Sequence, residues 1–188
     1  DSSGNLYIAN TNNHTILKVD TYGVVTTIAG TGSAGDTGDG GLATSARLDQ
    51  PRGVFKDNSG DIYIADTKNH KIRRIDMFGD ISTVAGTGDS GSSGDGGAAI
   101  SARLAEPKAI IKDSSGNLYI SDTNNDKIRK VNTSGVISTF AGTGSAGSSG
   151  DGGAATSAML NTPRGIYMDS SGNLYIADKG NDKIRKVD

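Results

Sequence analysis

The chain has 188 residues with 28 Gly, 3 Pro and no Cys or Trp, and its formal net charge is −2. Glu106 is the only glutamate among 21 acidic residues, and aspartate favours turns whereas glutamate favours helices, so the composition excludes a mainly helical protein. The lack of cysteine excludes a disulfide framework and a thiolate metal site. A net charge this small creates no strong electrostatic attraction for nucleic acid. No apolar run approaches the ~20 residues that are needed to cross a bilayer. We therefore expect no nucleic-acid partner and no membrane insertion.

The opening segment of the chain is repeated in phase. Residues 1–20 read DSSGNLYIANTNNHTILKVD, and closely similar segments begin at positions 57, 113 and 169. The repeat step is therefore 56 residues. We divide the chain, as one domain over residues 1–188, into three full units and a partial one, with the bounds 1–56, 57–112, 113–168 and 169–188.

Each unit is predicted to form four short strands. In the second copy these are 52–57, 61–66, 71–76 and 81–86, joined by tight turns that contain Gly, Asn or Asp. Such a sheet is apolar on both faces, so each sheet needs a neighbour on either side, and radial repetition of four-stranded sheets satisfies this need. We expect the apolar residues of each second strand to pack between sheets: Leu6, Ile8, Ile62, Ile64, Leu118, Ile120, Leu174 and Ile176.

The longest connection follows the fourth strand. Its copies contain GDGGLATSARL, GDGGAAISARL and GDGGAATSAML, beginning at positions 38, 94 and 150. An Asp before an Ala-rich stretch is typical of a helix N-cap. We therefore predict one short helix in each connection, capped by Asp39, Asp95 or Asp151, as the only helical element.

The repeated pattern resembles the NHL repeat. The motif runs from the Pro before the first strand through DSSGNLYIAD to KIRKVD, over residues 51–76, 107–132 and 163–188. The first copy departs from it at Asn10 and Leu17, where the others have Asp and Arg. The resemblance implies an all-β fold, a β-propeller of the NHL type that is typically six-bladed. It implies no single activity, because the family includes interaction modules, RNA-binding domains, receptor sensor domains and an amidating lyase.

The chain accounts for about three and a third blades, fewer than the four of the smallest closed propellers. It also ends 20 residues too late for a split blade to close a ring within one chain. We expect either a homo-oligomer, in which copies cover each other's terminal blades, or a segment of a longer repeat chain. A secreted or cell-surface location is the expectation, and we expect no cofactor.

One face of the propeller is the predicted binding surface. The turns between second and third strands and the long connections should emerge on the same side, and varied loops on a rigid scaffold are typical of recognition sites. Neutral drift of surface turns explains the same variation. The candidates are Asn12, His14, Lys68, His70, Asn124, Asp126, Asn181, Asp182, Arg52, Lys108 and Arg164. The basic members could bind RNA or another anion, but Asp residues on the same connections are expected to cancel their field.

Metal sites are not predicted. His14 and His70 occupy equivalent turns, yet neighbouring blade tips are commonly too far apart for one ion and no further ligand is evident. Asp36 and Asp39 offer carboxylates for calcium, but the other copies carry Ser92 and Ser148 at the first position. One shared carboxylate per loop suits a helix cap better than an ion cage.

Two charged positions change together among the copies. Asp66, Asp122 and Asp178 end the second strands, and Arg73, Arg129 and Arg185 follow seven residues later, whereas the first copy has neither charge. Removing one member of a buried ion pair is costly and removing both is not. We predict partly buried Asp–Arg pairs that hold the blades together and do no catalysis. The predicted function is a non-catalytic interaction or self-assembly module; the alternative is a propeller enzyme, lyase or hydrolase-like, whose site lies outside or only partly within this segment.

Overall fold

The computed structural model describes all 188 residues as four consecutive antiparallel sheets, one for each repeat, which we call blades 1 to 4. Blade 1 contains β1 (Leu6–Asn10), β2 (Thr15–Val19) and β3 (Val25–Ala29). Blade 2 contains β4 (Gly41–Leu42), β5 (Gly53–Lys56), β6 (Ile62–Asp66), β7 (Lys71–Ile75) and β8 (Asp80–Ala85). Blade 3 contains β9 (Pro107–Lys112), β10 (Leu118–Asp122), β11 (Lys127–Val131) and β12 (Ile137–Ala141). Blade 4 contains β13 (Pro163–Met168), β14 (Leu174–Asp178) and β15 (Lys183–Val187).

The turn between the first and second strands of each blade is fixed by its leading aspartate. Asp57 Oδ1 accepts the backbone N–H groups of Ser59 and Asp61 at 2.9 and 3.0 Å. This side-chain turn reinforces a backbone turn, in which the N–H of Gly60 donates to the carbonyl oxygen of Asp57 at 3.3 Å, and Gly60 has φ 100°. The same arrangement recurs at Asp1, Asp113 and Asp169. The repeated DSSG motif is therefore a turn signal.

Adjacent blades pack face to face through three apolar clusters. Ile16, Leu48 and Ile64 join blades 1 and 2, and the other two junctions are built from equivalent residues, including Leu104 and Leu160. Each fully buried Ile or Leu stabilises the fold by roughly 1.5–3 kcal/mol. These clusters confirm that consecutive sheets stack on one another.

The prediction for blade 1 was wrong at two residues. Leu6 and Ile8 are 63% and 42% exposed, because no sheet covers that side of blade 1. Their counterparts in the second strands of blades 3 and 4 are buried, Ile64 is buried, and Ile62 is half-buried.

The long connections also differ from the prediction. Instead of a capped helix, each contains a three-residue 3-10 turn, at Ala43–Ser45, Ala99–Ser101 and Ala155–Ser157, and no side chain caps it. Ala43 and Ala99 are buried in the junctions between blades, so packing rather than helix propensity fixes this segment. Four further 3-10 turns follow the second strands, at Thr11–Asn13, Thr67–Asn69, Thr123–Asn125 and Lys179–Asn181. None of these helical turns has the length or apolarity needed to cross a membrane.

The first two long connections lie against the outer edge of the next blade. β4 pairs with β8, so blade 2 has five strands, and Ala98 forms the equivalent bridge with Val136 in blade 3. The innermost strands of blades 2, 3 and 4, which are β5, β9 and β13, lie side by side at the centre of the arrangement. The beginnings of these strands are therefore brought together although they are far apart in sequence.

Candidate functional site

The turns between second and third strands meet the long connections on one side of the molecule, which we call the tip face. Thr67 Oγ1 donates a hydrogen bond to the carbonyl oxygen of Pro107 at 2.7 Å. Thr11 and Thr123 make the same bond to Pro51 and Pro163. These three turns are thereby fastened to the start of the innermost strand in the next blade.

In the first three turns the varied fourth residue acts as a latch between blades. Nδ1 of His14 and Nδ1 of His70 accept the backbone N–H groups of Gln50 and Glu106 at 3.2 and 3.1 Å. At the next junction Oδ1 of Asp126 accepts the N–H of Thr162 at 2.7 Å.

The latch residues share the left-handed backbone region. His14, His70, Asp126 and Asp182 have φ between 52° and 53°, where His and Asp are several-fold enriched among non-glycine residues. Burial lowers the pKa of His70, so its ring is neutral and able to accept at neutral pH. Sequence variation at this position thus reflects interchangeable acceptors, and the two histidines serve separate junctions.

The third residue of each turn supports the turn from within. Asn181 Nδ2 donates to the carbonyl of Gly147 and to Asp178 Oδ2, both at 2.7 Å. Asn69 and Asn125 make the same pair of bonds, and sequence analysis missed them. The signal was available, because Asn occupies this position in all four copies.

The paired charges lie under the tip face. Nη1 of Arg73, Arg129 and Arg185 lies 3.4, 3.3 and 3.4 Å from the second-strand carboxylate of its own blade. Asp122 and Arg129 are completely buried, and Asp122 Oδ1 also accepts the N–H of Ala105 at 2.7 Å. Burial raises the pKa of Asp122, and raises that of Asp66 to about 6, while hydrogen bonds and the arginine oppose the rise.

Each of these arginines binds a second carboxylate, from the long connection. Nη2 lies 2.8 Å from Asp39 in blade 2, 2.6 Å from Asp95 in blade 3 and 2.5 Å from Asp151 in blade 4. Thr139 Oγ1 also donates to Asp95 at 2.6 Å. The prediction that these aspartates cap helices was wrong, because their partner arginines lie 34 residues later and local sequence does not show them.

A separate basic groove lies where the innermost strands begin. Arg52, Lys108 and Arg164, one from each of blades 2 to 4, line this cavity of about 580 Å³. Arg52 and Arg164 are exposed and have no carboxylate oxygen within 4.0 Å. The other residues of the basic groove are Tyr7, Ile8, Ala9, Gly53, Val54, Ala109 and Gly165, so its lining contains no His, Asp or Glu.

Glu106 is the nearest acid to the basic groove. Its Oε1 pairs with Lys68 Nζ at 2.5 Å, and its Oε2 lies 3.8 Å from Lys108 Nζ. Burial lowers the pKa of Lys108, and the nearby charges of Arg164 and Arg52 lower it further, which reflects crowding of like charges.

Six aspartates of the long connections are already paired elsewhere. Their partners are His14, Lys71, Arg103 or the buried arginines, and the six are Asp36, Asp39, Asp49, Asp89, Asp95 and Asp151. None of them pairs with Arg52, Lys108 or Arg164, although these aspartates were expected to cancel the basic field. No group of three or more His, Asp or Glu side chains is placed to hold a metal ion.

The sequence matches two known families of propeller repeats. Residues 1–93 and 87–149 match the teneurin NHL domain profile, and residues 160–186 match the NHL repeat profile. The chain belongs to the NHL-repeat family. Teneurin-4 of Mus musculus is 30% identical over an alignment of 277 residues that takes in 98% of this NHL chain and 10% of that protein. The chain thus spans about a tenth of the length of the teneurins it matches.

Solved propeller structures share the fold. A protein of unknown function from Bacteroides thetaiotaomicron superposes with a TM-score of 0.79 at 24% identity, over 99% of this NHL chain and 44% of that chain. An auxiliary nutrient binding protein from the same organism gives 0.71 at 25%, over 99% and 45%. A streptogramin B lyase gives 0.59 at 16% over 100% and 52%, a likeness that shows the fold alone.

Proposed function

We propose that this NHL chain is a non-catalytic interaction module that binds a protein partner or ligand on its tip face. The observation that carries the proposal is the basic groove, where exposed Arg52 and Arg164 stand side by side without acidic partners. Exposed Lys68, Asn12 and Asn124 extend the same surface. The teneurin NHL relationship supports an interaction role.

The alternative is a propeller enzyme. General acid–base chemistry needs a positioned His, Asp, Glu or similar group that reaches the substrate. The lining of the basic groove has none of these three residue types, and its two other acid–base groups already face carboxylates, Lys108 that of Glu106 at 3.8 Å and Tyr7 that of Asp1 at 3.1 Å. The histidines of the tip face already accept backbone hydrogen bonds. An enzyme of this family would need a site outside or only partly within these residues, so the groove favours binding over catalysis.

Selection from a displayed peptide library tests the proposal. Selected peptides should protect the tip-face segments 50–53, 66–70 and 106–109 from hydrogen–deuterium exchange, and should leave the opposite turns at 57–61 and 113–117 unprotected. Protection confined to those opposite turns would contradict the proposal, as would failure to select any binder against the folded chain.

A second candidate function is self-assembly. Leu6, Ile8 and Ile184 are 63%, 42% and 70% exposed on the terminal blades, whereas the equivalent Ile64 and Ile128 are fully buried by a neighbouring blade. A blade of a second copy has the chemistry that covers such a face. Sedimentation equilibrium should show concentration-dependent association that Ile184→Lys reduces. A monomer at every concentration would refute self-assembly and leave the binding proposal standing.

A further inference from the structure

We propose that the basic groove binds an acidic peptide segment, whose side-chain carboxylates are held by Arg52, Lys108 and Arg164. This inference rests on the proposed binding function and names the chemical class of its ligand. A guanidinium binds a carboxylate through two parallel N–H···O bonds, which gives geometric specificity as well as attraction.

The charges of the groove are unsatisfied within the chain. Arg52 and Arg164 make no ion pair, and the side-chain nitrogens of both are free of hydrogen bonds to protein atoms. Glu106 lies 3.8 Å from Lys108, and Lys68 holds the other of its two carboxylate oxygens at 2.5 Å. The groove therefore carries an excess of positive charge that an acidic ligand would neutralise.

Like-charge crowding also acts on Lys108. Its side chain is only 12% exposed, and the charges of Arg164 and Arg52 add to burial in lowering its pKa. An anion bound between these residues would relieve the repulsion and stabilise the charged lysine. Ligand binding is thus coupled to the protonation of Lys108.

The walls of the groove favour a peptide over a nucleic acid. Ile8, Ala9, Val54 and Ala109 supply small apolar surfaces next to the cations, and mixed linings of this kind suit ligands that carry both apolar and charged groups. Single-stranded nucleic acid is typically bound by aromatic stacking along a cationic track. Tyr7 is the only aromatic residue in the lining, and its hydroxyl donates to Asp1 Oδ2 at 3.1 Å.

Calorimetric titration with a capped hexaglutamate peptide at low ionic strength tests the inference. We expect saturable binding to one site, and no binding of hexaglutamine. The double substitution Arg52→Gln/Arg164→Gln should weaken hexaglutamate binding at least tenfold, because two charge-assisted contacts are lost. The single substitution Arg164→Lys should weaken it less, since the charge remains and only the planar fork is lost.

Arg103→Gln is the matched control for charge. Arg103 is exposed on the same face but lies outside the groove and pairs with Asp89 at 3.2 Å. Its substitution should leave hexaglutamate binding within twofold of the unsubstituted chain. Thermal unfolding of every variant checks the fold, and Arg164→Gln alone replaces the double variant if the latter is unstable.

The inference is overturned if the double variant binds hexaglutamate as tightly as the unsubstituted chain does. It is also overturned if Arg103→Gln loses as much hexaglutamate affinity as the double variant does. A third contrary result is tighter binding of oligothymidylate than of hexaglutamate, with the same dependence on Arg52 and Arg164. The last result would assign the groove to nucleic acid. If hexaglutamate fails to bind while library-selected peptides still protect the tip face, only the acidic ligand class falls. If both fail, the binding function falls with it.

Discussion

The tip face contains two kinds of arginine. Arg129 is completely buried and holds the carboxylates of Asp122 and Asp95 at 3.3 and 2.6 Å. Arg164, on the next innermost strand, is exposed and has no acidic partner within 4.0 Å. Basic residues recur at both positions with the 56-residue step, so the repeat pattern alone does not distinguish the buried arginine from the exposed one.

The difference lies in what each charge has lost on folding. Arg129 has left water and must recover the cost through its two carboxylates and the carbonyl of Arg103. Arg164 keeps its hydration and contributes little to the folded state. A paired, buried charge indicates a structural role, whereas an exposed charge without a partner is available to a ligand.

The largest expected effect follows from breaking one buried network. Asp122→Ala removes the acceptor for Arg129, Asn125 and the N–H of Ala105. Arg129 then keeps only the carboxylate of Asp95, which is partly exposed, and breaking a buried pair by removing one partner costs about 3–5 kcal/mol. Urea unfolding should show a loss of that size.

Asp80→Ala is the control for that experiment. Asp80 lies at the exposed start of β8 and makes no ion pair, so its loss should stay within about 0.5 kcal/mol. Similar losses for Asp80→Ala and Asp122→Ala would contradict the assignment of Asp122.

Copying the arrangement of blade 1 into blade 3 should cost less stability than the sum of the two single changes. The double substitution Asp122→Asn/Arg129→Leu reproduces Asn10 and Leu17, which coexist in blade 1. Because neither charge is left unpaired, the double variant should be more stable than the sum of the single losses predicts, by at least about 1 kcal/mol. Strict additivity in a double-mutant cycle would show that the pair is not coupled.

The sequence predicts much of this fold because the repeat is regular. Glycine and aspartate turns at fixed spacing locate the strands, and the joint absence of Asp and Arg at Asn10 and Leu17 indicates a pair. Partners that are close in register, such as Asp66 and Arg73, are accessible to such reasoning because antiparallel neighbours are predictable.

Long-range partners are not accessible in the same way. Asp95 resembles a helix cap in its local sequence, and only folding shows that it faces Arg129. The variation between His70 and Asp126 suggested recognition, whereas both side chains accept a backbone N–H from the next connection. The basic groove was predicted to be neutralised because sequence does not reveal which acids are already paired.

The latches provide a prediction on pH. Since burial lowers the pKa of His70 in the folded chain, the unfolded chain takes up the proton first, and stability should decline as pH falls below about 6.5. His70→Asp supplies the acceptor that Asp126 provides at the next junction, so this part of the decline should disappear. Between pH 7 and pH 5.5 the unsubstituted chain should therefore lose more stability than the His70→Asp variant. Parallel stability curves between pH 7 and pH 5.5 would contradict the latch.

The smallest expected effect is at Asp36. It pairs with Lys71 at 2.5 Å on the exposed rim, and Ser92 accepts the equivalent Lys127 in the next copy at 3.1 Å. An exposed ion pair contributes little, so Asp36→Ser should change the free energy of unfolding by less than about 1 kcal/mol. A loss comparable to that of Asp122→Ala would show that the exposed carboxylates of the rim also hold the blades together.

The most direct test compares Arg129→Leu with Arg164→Leu by urea unfolding of the two variants side by side. The same chemical change is made at two arginines of the tip face. The account predicts a loss of about 3–5 kcal/mol at Arg129, where Asp122 is left buried and unpaired, and a change within about 0.5 kcal/mol at Arg164. Equal losses at the two positions would contradict the separation of structural and ligand-binding charges.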